Sequence, residues 1–394
     1  MDPRVDARGG RGRALVERCD VAVVGGGPGG SSCALGLRRS GFDVVVLDRA
    51  EFPRDKVCAG WITPPICTAL GIEPEDYRKE HVIQPIRGFS VARQGDPETR
   101  VDCGEVVSYG IRRCEFDHYL LERSGARLRL GEPIEDLRRE AGRWVLNGEL
   151  SARALVGAGG HFCPVARRLG ARPGGGEPTT VLAREIEFEM SPEQQRACAV
   201  RPDLPSLLFS RDLRGYGWVV RKGDWLNVGL GRQDANAFPR RVEEFLGWLT
   251  ATGRVPAGVP RRLRGHAYLL GAESPRPLAA EGVLLVGDAA GLAYARSGEG
   301  IRPAVESGLL AARALRDGLR KPPLDMARAY VGAVLARFGP RFGSARPGLT
   351  GRLPERWRGA LAARALASEW FARRLVVERW FLHREVPPLA LSAG

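Results

Sequence analysis

Residues 20–48 read DVAVVGGGPGGSSCALGLRRSGFDVVVLD, and the order of residue types in that stretch decides the fold. Four apolar residues, Val21 to Val24, have the length of a buried strand. Gly25-x-Gly27-x-x-Gly30 follows at once, then an apolar helix-like run, then a second strand from Val44 to Leu47 that ends at Asp48. Strand, glycines, helix, strand and acid in this order predict a dinucleotide-binding βαβ unit. Gly25 permits the tight turn, Gly27 lets the backbone approach a pyrophosphate, and Gly30 lets the helix pack closely on the strand. The helix N-terminus offers free N–H groups and a partial positive charge to phosphate, an interaction of up to ~2 kcal/mol in a partly buried setting. Asp48 is expected to accept hydrogen bonds from ribose hydroxyls.

The rest of the 394-residue chain sets the boundaries of this reading. Its length accommodates two or three domains, and 44% hydrophobic with 27% charged residues is ordinary for a globular protein. No apolar run is long enough to cross a membrane, and the N-terminal residues lack the apolar segment of a secretory signal. A cytoplasmic protein is expected. The net charge of +14 raises the question of a nucleic-acid partner, but only four basic residues are lysine and the arginines are scattered rather than clustered. With no nucleic-acid motif present, no such partner is expected. The eight cysteines form no CxxC pair and read as reduced, mostly buried thiols; the five histidines show no metal-ligand spacing, so no metal is expected.

Two later apolar runs also feed glycine turns: Ala154–Val156 into Gly157-Ala-Gly-Gly, and Val283–Val286 into Gly287-Asp288-Ala-Ala-Gly. A helix follows the second, with Ile301, Val305, Leu309, Ala312 and Leu315 on one face. Between them, residues 173–267 alternate and are rich in aromatics, as antiparallel strands would be, with a helix over 240–251. The predicted fold class is α/β: a Rossmann-type domain (19–172 and 268–330) carrying an inserted antiparallel-sheet substrate domain (173–267), after a disordered leader (1–18) and before a helical C-terminal region (331–394). Residues 85–110 are left open between the two sheets.

Four further blocks bear on chemistry. Asp48-Arg49 leads to Lys56-Val57-Cys58-Ala59-Gly60, where small residues let backbone approach a flat ring system. Arg113-Cys-Glu-Phe-Asp117 carries a guanidinium suited to a pyrophosphate. Gly215-Tyr216-Gly217-Trp218 puts two aromatics on one face of a strand, either as pocket wall or as core. Gly287-Asp288 is followed by Ser297-Gly298-Glu299-Gly300-Ile301. With the βαβ unit, these blocks resemble FAD-dependent oxidoreductases of the geranylgeranyl reductase type, within the wider class of aromatic hydroxylases and flavin halogenases. The resemblance covers residues 19–330. It implies FAD as cofactor, held by Gly25, Gly27, Gly30, Asp48, Arg49, Arg113, Gly287 and Asp288. Gly298, Gly300 and Ile301 then lie beside the flavin ring, with the Ile301 helix aimed at the ring's N1/C2 edge. Tyr216 and Trp218 line an apolar substrate pocket. The chain departs from the family pattern at Ala59, at Val220-Arg221, and at the turn after Val156, where Gly159 stands in place of an acid. That last departure leaves the reductant open between NAD(P)H and a protein electron donor. A second nucleotide site at Gly157-x-Gly159 fails because Phe162 occupies the third glycine position.

Three activities follow from the resemblance: reduction of carbon–carbon double bonds in an apolar, prenyl-like substrate by hydride from flavin N5; monooxygenation of an aromatic or apolar metabolite; or electron transfer to a partner. The Lys-x-Cys and Tyr-x-Trp blocks favour reduction. A thiol is protonated at neutral pH and can act as an acid, which makes Cys58 the candidate catalytic proton donor; the alternative is a small packing residue. Residues 351–384 interleave Trp357, Leu361, Leu366, Trp370, Phe371, Leu375, Trp380 and Phe381 with arginines. They are expected either to pack on the FAD domain or to rest on an anionic membrane surface, where a lipid substrate resides.

Overall fold

Val21, Ala22 and Val23 are wholly buried, as a strand with a sheet neighbour on either side and helices over both faces requires. In the computed structural model, which describes residues 16–171, 180–233, 237–270, 274, 276–319, 323–340 and 355–389, this strand is β1, Glu17–Val24. It leads into α1, Pro28–Arg39, and β2, Val44–Asp48. Proline at the first position of α1 and Arg38 and Arg39 in its last turn suit the two ends of a helix. β1 pairs in parallel with β2 (Val21 opposite Val44) and with the strand Leu150–Gly157 (Val21 opposite Ala154). Beyond these lie Arg127–Leu130 on one side and Val283–Leu285 on the other, giving the open parallel order of a doubly wound fold. The helix Ile301–Gly318 crosses α1 at backbone distance: a Cβ on Gly308 would lie 2.2 Å from the Gly29 carbonyl oxygen. Ile301, Val305, Leu309, Ala312 and Leu315 are all buried along it.

A second, seven-stranded sheet runs Arg264–Leu269, Thr180–Glu189, Trp225–Arg232, Gly215–Lys222, Ser206–Phe209, Gly88–Arg93 and Thr99–Asp102. Its pairings are antiparallel except one, Ser206–Phe209 with Gly88–Arg93, which are parallel. The upstream strands Gly88–Arg93 and Thr99–Asp102 thus complete this sheet from a remote part of the chain. The helix Phe238–Ala251 covers one face, where Phe245 sits against Gly217; a Cβ there would lie 2.2 Å from its ring. Strand alternation turns Tyr216, Trp218 and Val220 to the other face.

That other face is covered in part by Glu355–Leu366 and the wide helical turns of Ala372–Phe381. Ala372, Val376, Val377 and Phe381 are buried there with Phe89, Val91 and Val101. Arg373 Nη2 donates to the Asp102 carbonyl, and Thr99 Oγ1 donates to that of Leu366, both at 2.7 Å. Residues 359–381 therefore pack mainly on the second sheet, because their apolar positions match the upstream strands left open between the two sheets, while His383 and the residues after it meet the nucleotide-binding part at Ser297 and Arg302. Trp370 and Leu361 project into solvent. The leader, up to residue 15, and the Arg346-Pro347-Gly348 break fall outside the described residues, as does the side chain of Trp357. The cysteines are less buried than expected: Cys58, Cys103, Cys114 and Cys198 are partly exposed. Among the described residues no helix is long and apolar enough to cross a membrane.

Candidate functional site

A cavity of about 670 Å³ opens where the first sheet's glycine turns meet the face of the second sheet. Gly25, Gly27, Asp48, Arg49, Cys58, Arg113, Tyr216, Trp218, Gly287, Asp288, Gly298, Gly300 and Ile301 all line it. Gly30 does not. It lies behind the turn, where a Cβ would fall 1.9 Å from the Gly25 carbonyl oxygen.

The turn itself is over-determined. Gly25 has φ +116° and presses on Ala158, whose carbonyl group a Cβ would meet at 2.4 Å. Asp48 Oδ2 accepts the Gly26 N–H at 2.8 Å and Oδ1 accepts that of Ala50 at 3.0 Å, so the acid fastens the glycine turn to β2. In front of Gly27 there is room: a Cβ would meet only Arg54 Nη2, at 3.4 Å. Gly27 supplies no side-chain cap to α1, so the first-turn N–H donors remain available to an anion.

Arg113 sits differently from the expectation of a free phosphate-binding guanidinium. Its Nε and Nη2 pair with both oxygens of the buried Asp117, at 2.8 and 2.9 Å, and it neighbours the Cys58 thiol. The guanidinium that faces Gly27 belongs to Arg54, whose Nη1 lies 3.3 Å from the same carboxylate. Sequence reading passed over Arg54; its only signal was a place between Asp48-Arg49 and Lys56.

Lys56, His266 and Asp288 meet on the cavity wall. Lys56 Nζ donates to His266 Nε2 at 2.6 Å, and that nitrogen lies 3.5 Å from Asp288 Oδ2. Burial pulls Lys56 down to about 8, with Arg113 and Arg54 adding to the effect and Asp288 opposing it. Burial, then the Lys56 charge, hold His266 near about 4. Burial alone would raise the Asp288 carboxyl, but His266 and Lys56 outweigh it and keep it at about 2. The turn that lacks the family's acid is tied in by His161, whose Nδ1 accepts from Arg276 Nη2 at 3.1 Å while Arg276 Nη1 donates to the Asp288 carbonyl at 2.9 Å.

The Ile301 helix begins at the cavity, but its end is not bare. Glu299 Oε1 accepts the Arg302 N–H at 2.7 Å, and burial lifts the Glu299 carboxyl to about 7. This carboxyl stands at the helix end expected to aim its positive charge at the ring's N1/C2 edge. On the opposite wall Trp218 lies flat over Gly229, where a Cβ would come 2.2 Å from its ring. The glycine of Asn227-Val228-Gly229 therefore exists to seat that indole. Tyr216 donates its hydroxyl to the Ser297 carbonyl and packs edge-on to Phe381 at 5.2 Å. Among the described residues no group of three or more histidine, cysteine or acidic side chains is placed to hold a metal ion.

Residues 23–54 match the NAD(P)-binding Rossmann-like domain family. The chain is 31% identical over 333 residues to a menaquinone reductase of Mycolicibacterium smegmatis, covering 76% of this chain and 77% of that one. It is 30% identical over 340 residues to a chloroplastic geranylgeranyl diphosphate reductase of Oryza sativa subsp. japonica, covering 76% and 67%. The chain belongs to the geranylgeranyl reductase family of FAD-dependent oxidoreductases. A geranylgeranyl bacteriochlorophyll reductase-like protein of Thermoplasma acidophilum has the same fold, with a TM-score of 0.73 at 20% identity over 94% of this chain and 99% of that one. As a flavin enzyme of this family, the protein has in its cavity a chemistry consistent with FAD: an uncapped helix end, room before Gly27, and a guanidinium beside it.

Proposed function

We propose that this geranylgeranyl reductase-family enzyme reduces a carbon–carbon double bond in an apolar prenyl chain. The observation that carries this reading is the shared cavity: Cys58, Tyr216 and Trp218 line the same space as the Gly25–Gly27 turn and the Gly298–Ile301 turn. Gly27, the first turn of α1 and Arg54 hold the pyrophosphate, and Asp288 holds the ribityl side. Bound FAD supplies the hydride chemistry. Tyr216 and Trp218 receive the apolar chain and exclude water. Cys58 gives its thiol proton to the second carbon of the double bond, so that hydride and proton together add H2 across it, and the thiolate is reprotonated from solvent.

The decisive experiment incubates the photoreduced protein, under strict exclusion of oxygen, with prenyl quinones, prenyl phospholipids and aromatic metabolites. A product heavier by H2 per double bond, with the yellow colour restored, is expected. A product that forms only on admitting oxygen, and carries a new hydroxyl group, would overturn the reading in favour of monooxygenation.

We further propose that the protein reaches a lipid substrate at a membrane surface through the outer side of residues 355–382. Trp370 is 67% and Leu361 50% exposed, beside the exposed Arg364 and Arg374. Such a surface suits an anionic lipid headgroup layer. Sedimentation with phosphatidylglycerol vesicles should carry down the wild type and much less of a Trp370→Ser/Leu361→Ser variant. Equal sedimentation of the two would remove these residues from the interface.

A further inference from the structure

Behind the Cys58–Gly60 segment, the second sheet carries a polar strip where an apolar surface would be ordinary. Lys222 is fully buried, and its Nζ donates to Glu187 Oε1 at 2.7 Å. Glu185, two residues before Glu187 on the same face, is also buried, and the Cys58 main chain stabilises its carboxylate against that burial. Asn227 stands at the centre, 1% exposed. Its Oδ1 accepts from Trp218 Nε1 at 2.7 Å. Its Nδ2 donates to the Cys58 carbonyl at 3.1 Å, with Glu185 Oε2 and Glu187 Oε1 each at 3.3 Å. A Cβ on Gly60 would fall 2.4 Å from Lys222 Nζ, so the segment lies directly on the strip.

Stability does not explain this arrangement. A buried ion pair with its attendant amide is commonly matched or bettered by apolar residues of equal volume. What the strip provides is position. An indole N–H can only donate and a peptide carbonyl can only accept, so the Asn227 amide has one orientation that serves both. Aspartate could accept from Trp218 but not donate to Cys58; leucine could do neither.

We propose that Asn227 is a positioning residue that couples Trp218 to Cys58, so that the aromatic wall of the cavity and the thiol are held as one unit. This rests on the reading of Cys58 as proton donor and Trp218 as substrate wall. The coupling acts through the Cys58 main chain, which Asn227 grips at the carbonyl.

The test reads the thiol directly. In the FAD-loaded protein, and again after FAD removal, alkylation of each cysteine by iodoacetamide is followed by peptide mass spectrometry, with Cys114 and Cys198 as internal references. Asn227→Leu should raise the Cys58 rate several-fold and leave the reference rates alone. Asn227→Asp, which keeps the size and the Trp218 acceptor, should do the same and serves if the leucine variant does not fold. Trp218→Phe should raise the Cys58 rate by less, and add nothing in the Asn227→Leu background. In turnover, kcat should fall about 10–100-fold, the scale of an ångström-sized misplacement, with KM nearly constant. An unchanged Cys58 rate in a folded Asn227 variant, or strict additivity with Trp218→Phe, overturns the proposal. If Cys58→Ser leaves turnover unchanged while the Asn227 variants still alter alkylation, the proton-donor reading fails and the coupling stands.

Discussion

Lys56 Nζ lies 2.6 Å from His266 Nε2 in the wall of the cavity, a contact between residues 210 positions apart. The imidazole accepts, so it is neutral, and Lys56 carries the positive charge of this contact beside the guanidinium groups of Arg54 and Arg113. With Lys56 lowered to about 8 by burial, that charge is lost just above neutral pH. Binding of an anionic dinucleotide should therefore weaken as pH rises through about 8, by roughly 1 kcal/mol or about fivefold in Kd. Fluorescence titration with FAD from pH 6 to 9.5 measures it. Lys56→Met should bind as weakly at pH 7 as the wild type does at pH 9.5 and show no step between; a step that survives the substitution assigns it to another group.

Gly27 and Gly30 belong to one motif but should fail in different ways. A side chain at Gly27 has room in the protein and collides only with what binds there, whereas one at Gly30 enters the Gly25 carbonyl. Gly27→Val should yield a folded, colourless protein that FAD cannot reconstitute. Gly30→Ala should lower the melting temperature sharply whether or not FAD is present. Circular dichroism and flavin absorbance together separate the two. A yellow Gly27→Val protein would mean that the pyrophosphate lies elsewhere.

That contrast also marks what was legible from residue order. The βαβ unit was readable because strand, glycine and acid spacing all depend on local backbone geometry. The placement of Cys58, Tyr216, Trp218 and Asp288 around one cavity was readable only through family resemblance. Arg54 and His266 were not readable, and of Asn227, whose run Asn227-Val228-Gly229 belongs to the block of Tyr216 and Trp218, only the place was readable and not the role, because these roles arise from contacts across long stretches of sequence that no spacing encodes. Asp48 was read for its acidity, yet both its oxygens are engaged in holding the turn. Most of the C-terminal segment docks on the second sheet rather than on the FAD domain for a similar reason: strands Gly88–Arg93 and Thr99–Asp102 supply its docking face, and their membership of the second sheet is a tertiary fact.

Removing Trp218 should separate binding from catalysis. Trp218→Ala empties the space above Gly229, and loss of a buried tryptophan costs about 3–5 kcal/mol. The protein should still bind FAD, since no residue of the Gly25–Gly27 turn touches the indole, but substrate-driven reoxidation of the reduced flavin should slow. Cys58→Ser should slow the same step, read by stopped-flow absorbance, with FAD affinity unchanged. An unaltered rate in Cys58→Ser would return the thiol to a packing role.

The buried acid Glu185 predicts how stability varies with pH. Burial raises it to about 8 in the folded state, above its ordinary 4.5. Between those values Glu185 keeps its proton in the folded protein and loses it in the unfolded chain, so its own contribution to stability falls as pH rises through that window and levels off above it, while His266, held at about 4, contributes with the opposite sign below its ordinary 6.5. Glu299, raised to about 7, adds to the fall over the lower part of the range. Glu185→Gln should flatten the profile and gain about 2–4 kcal/mol relative to wild type at pH 9. Urea midpoints at pH 5, 7 and 9 provide the comparison; parallel profiles for the two proteins would exclude Glu185 as the source.

Phe381 packs on Tyr216 and on Trp61, His383 meets Ser297 at 3.2 Å, and Arg302 donates to the carbonyls of Val386 and Pro387. Residues 381–387 thus stand behind the cavity and brace its walls at Tyr216, Trp61 and the start of the Ile301 helix without lining it. On the ribosome, with synthesis running from the N-terminus, the glycine turn emerges hundreds of residues before the segment that braces the facing wall. A nascent chain therefore holds the glycine turn and Tyr216 well before it holds the residues that fix Tyr216 in place. The wall that carries Tyr216 is thus the last part of the pocket to be braced during synthesis, and its rigidity waits on residues 381–387.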